Sequence, residues 1–317
     1  MTKAIFAFIA TVLLALPFVF NAGEISTSQQ LIICTPFLLF LGIPHGALDN
    51  ILYLRNNPKK NTEFIGVYLI FVGLNVVLWL TLPSVAYIMF LFLSAYHFGQ
   101  SQFMHYFKKK LTRHKVLYLL WGISILSGLV YFNTKEIQQI MTQHEEFAVF
   151  SYLHQEHHML LIFIASTLST ILLMLNLTIK HSLKTETFFM ELLVLALILI
   201  CFFLMPLLIG FTLYFVILHS YKVLMEEYRF LNPDKKANSI INFVKMVAPF
   251  TLFSIGGIGL LFGLIYLNIL PFSYGYCLLI VISSITLPHV FVMNRFYNLL
   301  FQRNFSKRLA RTEIIEQ

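Results

Sequence analysis

Long apolar stretches separated by short polar ones run through almost the whole chain. A helix needs roughly 20 apolar residues to cross a bilayer core, because each backbone N–H and C=O must be bonded within the segment. Ten stretches meet that demand, at about 4–20, 31–51, 64–81, 85–107, 116–132, 158–179, 188–207, 211–228, 246–268 and 273–300. The eighth is short, and only the Pro206–Gly210 region parts it from the seventh. The runs are continuous rather than alternating, so the period of a transmembrane barrel is absent. The pattern predicts an all-α, polytopic transmembrane helical bundle of about ten spans (eight to ten), as one integral membrane domain over residues 1–317. The first run, after Met1-Thr-Lys-Ala, could pass for a signal peptide. It lacks a small residue three before the cut and reads as a retained first span.

Composition agrees with the pattern: 58% of the 317 residues are hydrophobic and 11% charged, too little charge to cover a soluble surface. The net charge of +8 would suit nucleic acid, but its distribution argues for membrane lipid instead. One set of alternate loops and ends carries Lys3, then Arg55, Lys59 and Lys60, then Lys108, Lys109, Lys110, Arg113 and Lys115, then Lys180 and Lys184. The same side holds Lys222, Arg229, Lys235, Lys236 and Lys245, and finally Arg295, Arg303, Lys307, Arg308 and Arg311. Together these are 21 of the 22 lysines and arginines. Lys135 stands alone on the opposite side, beside Glu24, Glu136, Glu145, Glu146 and Glu156. The positive-inside rule then puts both termini in the cytoplasm, for a multi-pass protein of the cytoplasmic (inner) membrane. Cys34, Cys201 and Cys277 all fall in apolar runs without paired spacing and read as small buried hydrophobes.

Ionisable groups inside spans are rare and are functional candidates by default. Four histidines qualify: His45, His97, His219 and His289, on the second, fourth, eighth and tenth spans. In the orientation above, all four spans run from the outside to the cytoplasm. At 1.5 Å per residue from the outer end, the four lie about 21, 18, 12 and 24 Å deep, in one slab of the bilayer. Imidazoles at one level on co-directional helices can converge on an ion, as metal sites in helix bundles do. His45 and His289 each follow a proline, which frees a carbonyl one turn back and can re-aim a ligand.

An all-imidazole shell suits iron, copper, zinc or nickel. Only two acids, Asp49 and Glu191, lie deep in the expected spans. Asp49, four residues after His45 and on the same helix face, is placed to accept an imidazole N–H and fix the tautomer. The competing reading makes it an ordinary carboxylate at a helix end. His105, near the basic loop, is expected to meet headgroups. His154, His157 and His158 are expected in a solvated interfacial helix with Glu145, Glu146 and Glu156.

The segments Gly42-Ile-Pro-His-Gly-Ala-Leu-Asp49, Ala95-Tyr-His-Phe-Gly99, Tyr214-Phe with Leu218-His-Ser220, and Leu287-Pro-His-Val290 resemble the Brp/Blh family, the bacteriorhodopsin-related-protein-like β-carotene 15,15′-dioxygenases of prokaryotes. The matches span nearly the whole chain in the family's order. The resemblance implies a membrane enzyme with histidine-bound ferrous iron, Fe(2+), that uses O₂ to split the central double bond of β-carotene into two retinals, often to supply a rhodopsin. It implies His45, His97 and His219 as ligands, with His289 at a family histidine of less settled role. Two positions depart from the pattern. Several members carry a further ligand histidine where this chain has Val223, and an acid where it has Gln102; if four nitrogens are needed, His289 is the natural fourth. Thirty-three phenylalanines and fifteen tyrosines suit a polyene tunnel and lipid contact equally well. The rival readings are a proton-coupled carrier with relay histidines, a di-iron hydroxylase, a bis-histidine haem protein, and a relative that cleaves another carotenoid or apocarotenoid.

Overall fold

The structure, a computed structural model, describes residues 2–54, 61–107, 111–232 and 239–315, with only the backbone of Thr2, Ser239 and residues 303–315. Arg55, Lys59, Lys60, Lys108, Lys109, Lys110, Lys235 and Lys236 lie outside the described residues, as do the side chains of Arg303, Lys307, Arg308 and Arg311. The architecture is all helical, without strands among the described residues. Nine helical segments there are long and apolar enough to cross a membrane. They carry the lipid-facing signature of large apolar side chains left uncovered, such as Phe18, Ile32, Leu161, Phe203 and Phe253.

The helices follow in the order α1 (Thr2–Asn21), α2 (Thr27–Phe37), α3 (Asp49–Leu54), α4 (Asn61–Thr81), α5 (Pro83–Phe103) and α6 (Thr112–Phe132). After them come α7 (Thr134–Gln143), α8 (Glu156–Ile179), α9 (Thr185–Leu204), α10 (Leu207–Leu213), α11 (Tyr221–Leu231), α12 (Ser239–Tyr266) and α13 (Tyr274–Ile315). The second expected span is the composite segment Thr27–Leu54, and the short eighth one lengthens to Leu207–Leu231, 25 residues with α10 and α11 end to end. α5 is not among the nine. At 21 residues it is long enough, about 31 Å, but its buried face carries Ser94, His97, Gln100 and Ser101. Those polar groups lower its apolar character because they face protein rather than lipid.

α5 packs on α6 and α6 on α8, while α13 lies against both α4 and α5. The α5–α6 crossing is backbone to backbone. A Cβ on Gly99 would collide with the main chain of Tyr118, and one on Gly122 with the main chain of Ala95. Small residues at such a crossing let two helices approach closely in lipid, where packing rather than water drives association. The largest core cluster gathers Ile5, Phe8 and Val12 of α1 with Trp121, Phe202 and Tyr214, so the first span is part of the packed bundle. The cysteines are buried free thiols.

Polar clamps join the helix ends opposite the basic loops. Glu136 accepts from Gln30 (2.6 Å) and from the Leu207 N–H (3.0 Å), and Glu146 accepts from the Ser273 N–H (2.7 Å). His154 is not solvated as expected. It is buried under Tyr87, whose hydroxyl sits 2.9 Å from its Nε2, and burial lowers its pKa below the ordinary value. Tyr87 lies 5.6 Å from its ring and belongs to an aromatic cluster with Trp79, Phe147, Phe150 and Tyr276.

Candidate metal centre

Two irregular segments and two regular helices deliver the four histidines. Leu38–Gly42 is a π-helical turn followed by a short 3₁₀ turn, Ile43–His45. Pro44 has no N–H to continue an α-helix, so the chain overwinds locally and His45 turns inward. A second π-helical stretch, Tyr214–Ser220, carries His219 between α10 and α11. His97 projects from α5, and His289 follows Pro288 in α13. Such π turns re-aim side chains by adding a residue to the turn, and they recur at functional sites.

All four imidazoles are buried, and four of their pairs meet face to edge. The His45 and His97 rings are parallel within 8° and 6.4 Å apart. His219 stands across the gap, 5.3 Å from His45 and 4.9 Å from His97, at 89° and 81° to them. His289 occupies the other side, 5.1 and 5.0 Å away, at 79° and 78°. His45, His97 and His289 offer ring nitrogens all within 4.8 Å of one another, a group that could hold a metal ion. His219 falls outside that mutually close trio but borders two of its members. The distances suit one shared atom. A nitrogen about 2.1 Å from an ion puts its ring centroid about 3.2 Å away, so two opposed rings stand about 6.4 Å apart.

Hydrogen bonds set which nitrogen is available. His45 Nδ1 donates to the Gly42 carbonyl. The Ser101 hydroxyl gives its proton to the Phe98 carbonyl (2.9 Å) and therefore accepts from His219 Nδ1 (3.1 Å). His289 Nδ1 donates to Asp49 at 2.8 Å. The Nε2 atoms of His219 and His289 and both nitrogens of His97 are buried without any partner. Orphaned buried nitrogens are costly, and lone pairs converging at one level are what a bound cation would satisfy. The donor set fits a borderline metal ion.

Asp49 heads α3 but is buried rather than an ordinary exposed helix-end carboxylate, and it accepts an imidazole N–H. The imidazole is that of His289, however, not of His45 on its own segment. The turn between residues 43 and 48 is not α-helical, so a spacing of four no longer means one face. Tyr68 donates to the second Asp49 oxygen at 3.1 Å and completes a Tyr68–Asp49–His289 chain; no sequence signal marked it. Asp49→Asn should weaken divalent-metal affinity about 10- to 100-fold while leaving the helices intact. Titration of the purified chain with Co²⁺ reads this directly, and unchanged affinity would remove Asp49 from the site.

Gln102 and Val223, the two departures, have contrasting surroundings. Gln102 donates to Glu191 at 2.6 Å, Tyr106 donates to the same carboxylate at 2.6 Å, and Lys222 donates to the carbonyl and side-chain oxygens of Gln102 at 3.2 and 3.3 Å. Lys222 is thus no loop charge but part of a half-buried clamp joining α5, α9 and α11. Arg295, also counted with the basic ends, lies in α13 with its guanidinium 4.2 Å over the Tyr53 ring. Glu191→Ala leaves that clamp unpaired and should destabilise the protein by about 3 kcal/mol, read as a lowered Tm in detergent. Val223 is fully buried in an apolar cluster with Leu48 and Met293. Glu227, which the expected span ends left at the edge, is also fully buried. It is a third deep acid.

Fold and site together define a multi-pass helical membrane protein with a buried imidazole cluster able to hold a metal. The chain belongs to the beta-carotene 15,15'-dioxygenase family, whose model matches residues 37–297 and so includes all four histidines. No curated protein and no solved structure matches.

Proposed function

We propose that the protein is an iron-dependent dioxygenase that cleaves β-carotene at its central 15,15′ double bond with O₂, giving two all-trans-retinals. The observation that carries this reading is the convergence of four buried imidazoles, with unpartnered nitrogens, inside a chain of the carotene dioxygenase family. Fe(2+) would be held by His45, His97 and His289, with His219 as the fourth ligand and Asp49 orienting His289. Bound there, the ion would supply the one-electron chemistry that triplet O₂ needs to react with a closed-shell alkene.

The chain's own residues do the rest. Three Nδ1–H groups, held by the Gly42 carbonyl, Ser101 and Asp49, leave the Nε2 lone pairs free to face inward. Neutral ligands leave the ion its charge, and Asp49 is the only carboxylate bonded to the cluster among the described residues. Phe215 stacks on His219 (5.5 Å) and meets His45 edge-on (5.6 Å), while Phe98 meets His219 at 4.8 Å. These rings keep water away and give a conjugated chain an apolar surface beside the cluster. Cleavage draws its electrons from the alkene, so the reaction calls for no reductase. Carotene dissolves in the bilayer core and can enter from the side at the depth where the histidines lie. The excess of basic residues on one set of loops would place both termini in the cytoplasm, in the cytoplasmic (inner) membrane. The retinal could serve a rhodopsin.

Expression in carotene-accumulating cells tests the reading: colour should fade as retinal appears. Unchanged pigment with folded, iron-replete protein would refute it and favour a carrier or a relative with another carotenoid substrate.

A further inference from the structure

Below the histidines, two of the helices that carry them continue with a matched inner face. His219, Val223 and Glu227 follow at intervals of four on one, and His289, Met293 and Tyr297 do so on the other; all six are buried. Val223 and Met293 share an apolar cluster with Leu48 and Leu52. A histidine layer is therefore followed by an apolar layer and then by a second polar layer, about 12 Å further along the helices.

That second layer is chemically incomplete. Glu227 is 0% exposed, yet neither carboxylate oxygen has a partner. The Tyr297 hydroxyl and the Asn50 side-chain oxygen are also buried without one. Glu227 stands within electrostatic reach of Asp49 and Glu226, and Tyr297 within reach of both glutamates. Among the described residues, Lys222 is bonded to Gln102 and Arg295 lies over Tyr53. An unpaired carboxylate in so dry a place costs a great deal unless a cation, a proton or water meets it. Oxygen donors from two helices are the hard, loosely holding set that a divalent cation uses before it sheds its hydration.

We propose that Glu227, with Tyr297, forms a transit site for the divalent metal ion, which passes from there by way of Asp49 to the histidines. Val223 and Met293 fill the direct line, whereas Asp49 bonds His289 and also lies in the electrostatic field of Glu227. Imidazole holds a borderline ion more tightly than carboxylate does, so the transfer runs downhill. The proposal rests on the metal reading of the histidine cluster.

The test follows Co²⁺ entering the full-length, metal-free chain in nanodiscs by stopped-flow, through the visible band of imidazole-bound cobalt. Glu227→Gln should slow loading about tenfold, the scale of a local electrostatic gain in encounter rate, and reach the same final band. A rate within about twofold of the parent chain, or a lower final band at an unchanged rate, overturns the proposal. Should Glu227→Gln not fold, Glu227→Asp and Tyr297→Phe take its place: slower loading in either supports a transit site, and parental rates in both overturn it. A band that never forms in the parent chain, or that survives His97→Ala, instead defeats the histidine metal site itself.

Discussion

His97→Ala yields a folded membrane protein that makes no retinal and holds little iron. His97 is 3% exposed and both of its ring nitrogens lack a partner, so its loss breaks no hydrogen bond within the protein. What remains is a cavity in α5, where the cost of a large-to-small change, about 2–4 kcal/mol, is partly offset by removing an unsatisfied polar group. The metal-free variant should therefore unfold close to the parent's temperature. The clearest difference appears on adding metal. A ligand that binds only the folded state raises stability in proportion to the logarithm of its concentration over Kd, and His97→Ala should lose most of that gain. His45→Ala should behave alike in activity and bound iron. Differential scanning of both variants with and without Fe(2+), beside retinal output by chromatography, checks this. Full retinal output from either variant would remove that histidine from the site.

Gly122→Leu should do more damage to the fold than any single ligand change. The pro-chiral hydrogen of Gly122 faces the backbone of Ala95, and that of Gly99 faces the backbone of Tyr118, so neither helix can yield by rotating a side chain. Any Cβ must push α5 away from α6. Overpacking of this kind costs about 1–3 kcal/mol even where neighbours adjust, and backbone neighbours adjust least. α5 also carries His97 between Ala95 and Gly99, so the same displacement pulls one imidazole out of a cluster whose rings stand 4.9–6.4 Å apart. Gly122→Leu and Gly99→Leu should lower yield, Tm and metal binding together, and Gly99→Ala should show the same pattern more weakly. Normal stability with lost activity would mean that the crossing positions His97 without holding the bundle together.

The glycine of the Ala95-Tyr-His-Phe-Gly99 motif thus has a packing role that its sequence alone did not reveal. The reverse holds for the histidines. Their rarity in apolar runs and their common depth were visible from spacing, because depth along a helix is linear in residue number. Direction around the helix was not. By spacing Asp49 shares a face with its neighbour His45, yet it bonds His289, 240 positions away, because residues 43–48 form a 3₁₀ segment and turn rather than an α-helix. Lys222 reads from sequence as belonging to the basic loops and ends because charged residues usually mark a membrane edge. A longer composite helix and the partners Gln102 and Glu191 bring Lys222 inside.

Sequence by itself determined the helical, lipid-embedded architecture, since long apolar runs leave no other way to satisfy the backbone, and it singled out four histidines at one level. Tertiary structure decided which ring faces which, which nitrogen each presents, and which carboxylate supports them. Those outcomes depend on π and 3₁₀ turns and on close helix crossings, where a displacement of one residue or one methyl group re-aims a side chain, and no periodicity in the chain encodes that.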